Sequence, residues 1–198
     1  MNVVFDIGGV VVEWQPAKLA AAVFDDLEKQ QVATNDVFSH ADWVGVDRGD
    51  LSYEEAIERT ANRTSLTHDD VNRLFRAVAP SLVPKPASLD LIQELSRSDH
   101  RLFALSNMGQ VGYEYLQRHH GIWSRFEASV VSCLVNRVKP EPEIFHYLLD
   151  QHALSPAETI FIDDMAENTR AAEALGIRAI HFTSTEQCRR ELAAIIAW

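Results

Sequence analysis

Residues Val3–Val12 read VVFDIGGVVV, a short apolar run that contains one carboxylate, Asp6, and then two glycines. Such a run is typical of a strand that is buried on both faces of a parallel sheet. Ligands of open α/β sheets bind beyond the carboxyl ends of the strands, and Asp6 would lie at that end. Gly8 and Gly9 would let the backbone turn and approach a ligand closely. Considered alone, the stretch is explained equally well if Asp6 only caps a turn.

Helix and strand patterns alternate through the second half of the chain. The predicted strands cover residues 101–105, 128–132, 159–162 and 178–182, and the predicted helices cover residues 87–97, 111–119, 142–151, 165–175 and 185–198. Strands that alternate with helices pair into a parallel sheet covered by helices on both faces. We therefore expect an α/β fold with a Rossmann-like core.

A purely helical region separates the first strand from this half. Leu27 continues the apolar stripe of a first helix that contains Leu19, and Ser52 with Glu55 has the spacing of a capping box. We expect about four helices here. The prediction is a core domain of residues 1–14 and 85–198, with a small helical cap of residues 15–84 inserted after the first strand.

Composition excludes several classes of function. The chain has 198 residues and a formal net charge of −11, which argues against a nucleic-acid partner because phosphate-backbone binding needs clustered Lys and Arg. Cys133 and Cys188 are its two cysteines, which favours reduced thiols over a disulfide framework. No apolar run reaches the roughly 18 residues of a membrane span, and no basic segment of a signal peptide precedes the first strand. We expect a cytoplasmic protein without a membrane partner.

Polar side chains follow the predicted strands at the end where ligands bind. They are Asp6, Ser106, Asn107, Asp163 and Asp164, joined by Lys139 just before a predicted helix. Because parallel strands end along one edge of a sheet, these side chains could converge. Each has an ordinary structural explanation, as a helix cap or a solvated lysine. Their joint occurrence in this order is the stronger indication of a site.

The motifs that carry these residues resemble those of the haloacid dehalogenase superfamily, whose members are mostly phosphatases. The matching segments are FDIGGVV around Asp6, LSN at Leu105–Asn107, VKPEPEIF at Val138–Phe145 and FIDDMAEN at Phe161–Asn168. They occur in the order and spacing of the family, with a helical cap after the first motif. The phrase DRGDLSYEE at Asp47–Glu55 also resembles the cap of a branch that contains sugar-phosphate phosphatases.

The resemblance implies a nucleophile and a metal. Asp6 corresponds to the residue that forms an aspartyl-phosphate intermediate, which divides a difficult hydrolysis into two steps. Asp6, Asp163, Asp164 and the Gly8 carbonyl would supply the hard oxygen ligands that Mg²⁺ prefers.

The resemblance also implies a phosphate site. The Ser106 hydroxyl, the Asn107 backbone N–H and the nearby amides of Gly8 and Gly9 would hold phosphoryl oxygens. Lys139 would neutralise phosphate charge and keep the nucleophile ionised. The predicted catalytic residues are Asp6, Lys139 and Ser106.

The sequence departs from the phosphatase pattern at Gly8. Most such enzymes have a second Asp at this position, two residues after the nucleophile, which acts as general acid and base. General acid–base catalysis contributes about 10²- to 10⁴-fold, so its loss need not abolish activity. We therefore expect a preference for good leaving groups, such as sugar 1-phosphates, acyl phosphates or aryl phosphates. Alternatively, Glu13 or Asp47 replaces the acid, although both also fit solvated surface carboxylates.

The cap is expected to select the substrate because a lid contacts the leaving group. Trp14, Trp43 and Arg48 are the candidate cleft residues, although packing or surface roles explain such residues as well. The predicted substrate is a small phosphorylated metabolite, with a sugar phosphate as one candidate. We expect a monomer or a weak homodimer.

Two other functions remain open from the sequence. A 2-haloacid dehalogenase would use the same Asp6 on carbon without a metal. That activity goes with a Tyr where Gly8 stands here, and the pair Asp163–Asp164 makes more sense around a cation. A non-catalytic phospho-ligand-binding protein that lost its general acid is supported by Gly8 alone.

Overall fold

A computed structural model describes residues 1–197. Within them, five parallel strands form one sheet in the order β3-β2-β1-β4-β5. The strands are β1 (Asn2–Phe5), β2 (Arg101–Ser106), β3 (Ala128–Val131), β4 (Thr159–Asp163) and β5 (Arg178–His181). The first strand is therefore the central one, which places the residue that follows it in the middle of the carboxyl edge.

The register of the sheet brings the ends of three strands side by side. Phe5 pairs with Ala104 of β2 and with Ile162 of β4. The pairing continues one step further, since the Asp6 backbone N–H donates to the Ile162 carbonyl at 2.8 Å. The residues after β1, β2 and β4 consequently emerge next to one another.

The cap follows β1 and contains five α-helices within residues 15–84, all of which the structure describes. They are α1 (Pro16–Val23), α2 (Leu27–Val32), α3 (Ala41–Arg48), α4 (Tyr53–Arg63) and α5 (His68–Ser81), with a π-helical turn at Ala33–Val37. The expectation of about four helices is too low, because the Asp26 carboxylate caps a new helix by accepting from the Glu28 and Lys29 backbone N–H groups at 2.8 and 3.2 Å. Leu27 is accordingly the first residue of α2 and is 72% exposed.

The helices of the core follow the cap. They are α6 (Pro86–Leu95), α7 (Gln110–His119), α8 (Ser132–Val135), α9 (Pro142–Gln151), α10 (Ala166–Ala174) and α11 (Thr185–Ile195). This α/β arrangement confirms the predicted fold class. The predicted strand ends fall one residue short at Ser106 and Asp163, and the short helix α8 was not predicted. The last residue of the predicted closing helix, 198, lies outside the described residues.

Three hydrophobic clusters explain how these elements pack. Along β1, Val3 and Phe5 belong to a cluster on one face of the sheet, and Val4 belongs to a cluster on the other. This alternation shows that both faces of the central strand are buried. A third cluster lies within the cap and includes Leu19, Trp43 and Phe75. Separate clusters support the proposed division into a core and a cap, which remains a prediction.

Within residues 1–197, no helix combines the length and the apolar character needed to cross a membrane.

Candidate active site

The buried ammonium group of Lys139 joins two of the predicted strand ends. Its Nζ lies 2.8 Å from Asp6 Oδ1 and 2.7 Å from Asp163 Oδ2, and it donates to the Leu105 carbonyl at 3.0 Å. An ammonium has three N–H donors, so these three acceptors satisfy it completely. Burial alone would lower the pKa of Lys139, but the charges of Asp163 and Asp6 raise it above its usual value. The lysine is therefore held as a cation.

Asp6 lies at the centre of the site and is oriented by two donors. Its Oδ1 accepts from the Ile7 backbone N–H at 2.6 Å as well as from Lys139. Burial raises the pKa of Asp6 well above its ordinary range, and the charges of Asp163 and Asp164 add to the increase, while Lys139 opposes it. Burial followed by the charge of Asp163 also raises the pKa of Asp164. The site thus holds more negative charge than one lysine balances.

This cluster of carboxylates fits a divalent cation. Oxygen atoms of Asp6, Asp163 and Asp164 lie within 4.8 Å of one another. Three carboxylates and one ammonium leave two formal negative charges, and carboxylate oxygens are the ligands that Mg²⁺ prefers. The donor set and the charge both match the predicted cofactor.

Asp163 differs from the other two because protein donors already occupy its oxygens. Besides the Lys139 contact, Oδ1 accepts from the Met165 backbone N–H at 2.8 Å. The Asn168 side-chain amide lies 3.0 and 3.1 Å from the two oxygens. Asn168 was not predicted as a site residue, although it is the last residue of the FIDDMAEN motif, five positions after Asp163.

Asn107 connects the end of β2 to the lysine loop. Its Oδ1 accepts from the Lys139 backbone N–H at 2.8 Å, and its Nδ2 donates to the Lys139 carbonyl at 2.9 Å. This reciprocal pair fixes the loop from which the Lys139 side chain extends. Ser106 is fully buried, with its hydroxyl 3.5 Å from the Asn107 carbonyl.

The turn after β1 requires glycine at position 9. Gly9 has a φ of +72°, and a Cβ built there would lie 2.1 Å from Asp164 Oδ2. The carbonyl of Gly9 accepts from the Lys85 ammonium, another residue that the sequence did not single out. The close approach of backbone and carboxylate brings the first and fourth motifs together.

A cavity of about 250 Å³ opens above these groups, between the core and the cap. Its polar end is formed by Asp6, Gly8, Asn107, Lys139 and Asp164. The cap and adjoining segments line the rest with apolar side chains, Trp14, Phe38, Trp43, Val44, Tyr53, Val78, Leu82, Met108 and Met165, and with the polar side chains of Asp47, Glu167 and Asn168. The rings of Trp14 and Trp43 are stacked, with centroids 5.8 Å apart and planes inclined by 11°.

The remaining candidates divide between the cavity and its surroundings. Asp47 lines the cavity, near Lys139. Glu13 lies outside the set of lining residues, and its carboxylate accepts from the Gln15 side chain. Arg48 was predicted to line the cleft, but its guanidinium instead forms a bidentate ion pair with Glu141 at 2.6 and 2.7 Å. The ion pair with Glu141 of the core explains why the Arg48 side chain does not line the cavity.

Comparison with known proteins agrees with this geometry. Residues 1–176 match the haloacid dehalogenase-like hydrolase family. Sesquiterpene phosphatase astK of Aspergillus oryzae is 26% identical over 98% of this chain and 95% of its own length. D-ribitol-5-phosphate phosphatase of Bacteroides thetaiotaomicron is 23% identical over 98% of both chains. A haloacid dehalogenase-family enzyme of Bacteroides thetaiotaomicron, solved with magnesium and inorganic phosphate, has a TM-score of 0.68 at 22% identity and covers 90% of this chain and 92% of its own.

Proposed function

The chain belongs to the haloacid dehalogenase-like hydrolase family, and on that premise we propose that it is a Mg²⁺-dependent phosphatase that forms an aspartyl-phosphate on Asp6. The proposal rests on one observation: Asp6, Lys139 and Asp164 line the same cavity, and Lys139 Nζ lies 2.8 Å from Asp6 Oδ1. The two relatives named as phosphatases and the neighbour solved with magnesium and phosphate support it.

Each polar residue has a role that follows from its contacts. Asp6 attacks phosphorus, and Lys139 balances charge on the nucleophile and the incoming phosphate. Asp6, Asp164 and the Gly8 carbonyl would hold Mg²⁺, which when bound neutralises phosphoryl charge. Because the oxygens of Asp163 already accept hydrogen bonds, we assign Asp163 to positioning Lys139 rather than to direct coordination.

We keep the predicted phosphate contacts but separate the residues that line the cavity from those that do not. Asn107 and Gly8 line the cavity, which supports the predicted contacts of their backbone groups with phosphoryl oxygens. Ser106 and Gly9 are not among the lining residues, and Ser106 is fully buried. Their predicted contacts therefore rank below those of Asn107 and Gly8.

The cavity favours a phosphomonoester whose organic group is partly apolar. A polyhydroxylated sugar needs hydrogen-bond partners for each buried hydroxyl, and an unpaired one costs about 1–3 kcal/mol. The cap side of the cavity offers aromatic and aliphatic side chains around the stacked Trp14 and Trp43 rings, and the polar side chains of Asp47, Glu167 and Asn168 also line the walls. A volume of about 250 Å³ suits a small substrate. The sugar phosphate considered from the sequence is accordingly the second candidate, which the ribitol-phosphate phosphatase relative supports.

Phosphate release is the direct test. The purified protein should release inorganic phosphate from aryl and short alkyl phosphates with Mg²⁺ and should lose this activity in EDTA. Asp6→Asn should remove turnover while the fold, measured by circular dichroism, is retained. Comparison of phenethyl phosphate with glucose 1-phosphate and ribitol 5-phosphate ranks the two substrate classes.

The same assay separates the competing functions. A dehalogenase would release halide from 2-haloacids in EDTA and would ignore phosphate esters. A non-catalytic binder would bind inorganic phosphate in calorimetry without turnover of any ester. A cytoplasmic location and a monomeric or weakly dimeric state stay predictions from the sequence.

A further inference from the structure

We propose that Asp47, on cap helix α3, is the general acid and base of this reaction. It takes the role of the Asp that most such enzymes have at the position of Gly8. The inference rests on the proposed function. Asp47 lines the same cavity as Asp6 and Lys139, and it enters from the cap side, where the leaving group must lie. The acid is thus supplied from the opposite wall of the cleft rather than from the turn after β1.

Side-chain contacts fasten the C-terminal end of α3 to the core. The Ser132 hydroxyl donates to the Asp47 carbonyl, and the Asn136 side chain donates to the Arg48 carbonyl at 3.2 Å. The bidentate pair of Arg48 with Glu141 adds a charged contact to the segment that follows Lys139. The residues around Asp47 are therefore held to the core at several points, as a proton donor must be held near its acceptor.

A glycine lets the helix end approach this closely. Gly49 follows α3 with a φ of +85°, and a Cβ built there would lie 2.8 Å from the Cys133 carbonyl. A larger residue would push the helix end away from α8 and would carry Asp47 with it. The close packing of the end of α3 against the core therefore fixes the position of Asp47 at the cavity.

The surroundings of Asp47 suit a group that both gives and takes a proton. Burial raises its pKa to about 7, while the Gly109 backbone N–H and the charge of Lys139 limit the increase. Tyr53 of α4 and Cys133 of α8 are the other titratable groups that face it. Burial, with the charge of Asp47 as the second cause, raises the pKa of both. Near neutral pH both protonation states of Asp47 are populated, as acid–base catalysis requires.

The protons balance over the two half-reactions. In the first, an oxygen of Asp6 forms a bond to phosphorus, the bond from phosphorus to the leaving oxygen breaks, and that oxygen takes the proton of Asp47 to leave as an alcohol. In the second, ionised Asp47 takes a proton from water while the water oxygen bonds to phosphorus. The bond between phosphorus and Asp6 then breaks, which releases phosphate, the Asp6 carboxylate and a protonated Asp47.

The experiment compares Asp47→Asn with a matched control. Asp36→Asn changes the same charge elsewhere in the cap, on an exposed side chain that does not line the cavity. For an alkyl phosphate, whose leaving oxygen needs a proton, Asp47→Asn should lower kcat/KM by about 10²- to 10⁴-fold. For p-nitrophenyl phosphate, whose phenolate leaves without help, kcat/KM should fall by less than about tenfold, because only the first half-reaction determines it. Asp36→Asn should match the wild type with both substrates.

Two further readouts distinguish an acid from a merely structural residue. With p-nitrophenyl phosphate, Asp47→Asn should give a burst of about one nitrophenolate per active site and accumulate phosphoenzyme, visible by intact mass, because water is no longer activated. In metal-free protein, ¹³C NMR should show a carboxyl group that titrates near pH 7 and is absent from Asp47→Asn.

The outcomes separate this proposal from the one on which it rests. If wild-type protein releases phosphate and Asp47→Asn slows both substrates equally without a burst, Asp47 is structural and this inference is wrong. If Glu13→Gln rather than Asp47→Asn shows the leaving-group dependence, the acid is Glu13. If the wild-type protein releases phosphate from none of the esters, the proposed function fails first and this inference fails with it.

Discussion

Replacement of Lys139 by Met should show how much the buried Lys139 ammonium contributes to the stability of the folded protein. The unbranched methionine side chain fills most of the space of lysine and lacks the terminal ammonium, so the substitution chiefly removes charge. Asp6 and Asp163 then lose a partner at 2.8 and 2.7 Å, and the Leu105 carbonyl loses a donor at 3.0 Å. Breaking a buried ion pair by removal of one partner costs about 3–5 kcal/mol. At about 2–4 °C per kcal/mol for a chain of this size, the melting temperature should fall by roughly 6–20 °C.

Urea unfolding followed by tryptophan fluorescence in EDTA measures this cost. Unpaired buried carboxylates bind protons more tightly in the folded chain than in the unfolded chain, so the lost stability should be recovered as the pH falls from about 8 to about 5. Combining Asp163→Asn with Lys139→Met should recover part of the lost stability at about pH 8. Lys85→Met is the control, because the Lys85 ammonium donates one hydrogen bond, to the Gly9 carbonyl, and lies 5.5 Å from the centre of the Phe182 ring. Its loss should cost only about 1–2.5 kcal/mol. A loss for Lys139→Met below about 1 kcal/mol, or one that does not change with pH, would refute the reasoning.

Three further predictions concern the metal and the cavity. Gly9→Ala should weaken Mg²⁺ binding in calorimetry by about 10- to 100-fold because its Cβ collides with Asp164. Gly121→Ala, with a similar φ of +55° and an ordinary contact of 4.0 Å between its Cβ and Ser124 Oγ, should bind Mg²⁺ normally. Because burial raises the pKa of Asp164, the rise in melting temperature on adding Mg²⁺ should shrink as the pH falls; a rise independent of pH contradicts this. Val44→Ala should lower kcat/KM for an apolar ester by roughly fourfold for each methyl group that the substrate covers, while the exposed Val83→Ala should leave it unchanged.

Much of the candidate site was accessible from the sequence because each of its parts is local. The carboxylates at positions 6 and 164 directly follow apolar strands, and Asn107 follows another, so strand ends and parallel pairing suffice to bring them together. Asn168 was missed because its function is to hold another site residue, and a polar residue in a first helical turn has many ordinary roles. Arg48 was misplaced because its partner, Glu141, is 93 residues away in the chain.

The sequence by itself determined the α/β class, the helical region between the first two strands, the capping box of Ser52 and Glu55, and the family. These properties depend on hydrophobic periodicity and short motifs, which a chain expresses over a few neighbouring residues. Only the tertiary structure decided that Asp47 rather than Glu13 lines the cavity, and that the stacked rings of Trp14 and Trp43 line it as well. Both depend on how the end of α3 packs against the core, and such packing joins residues that no local pattern connects.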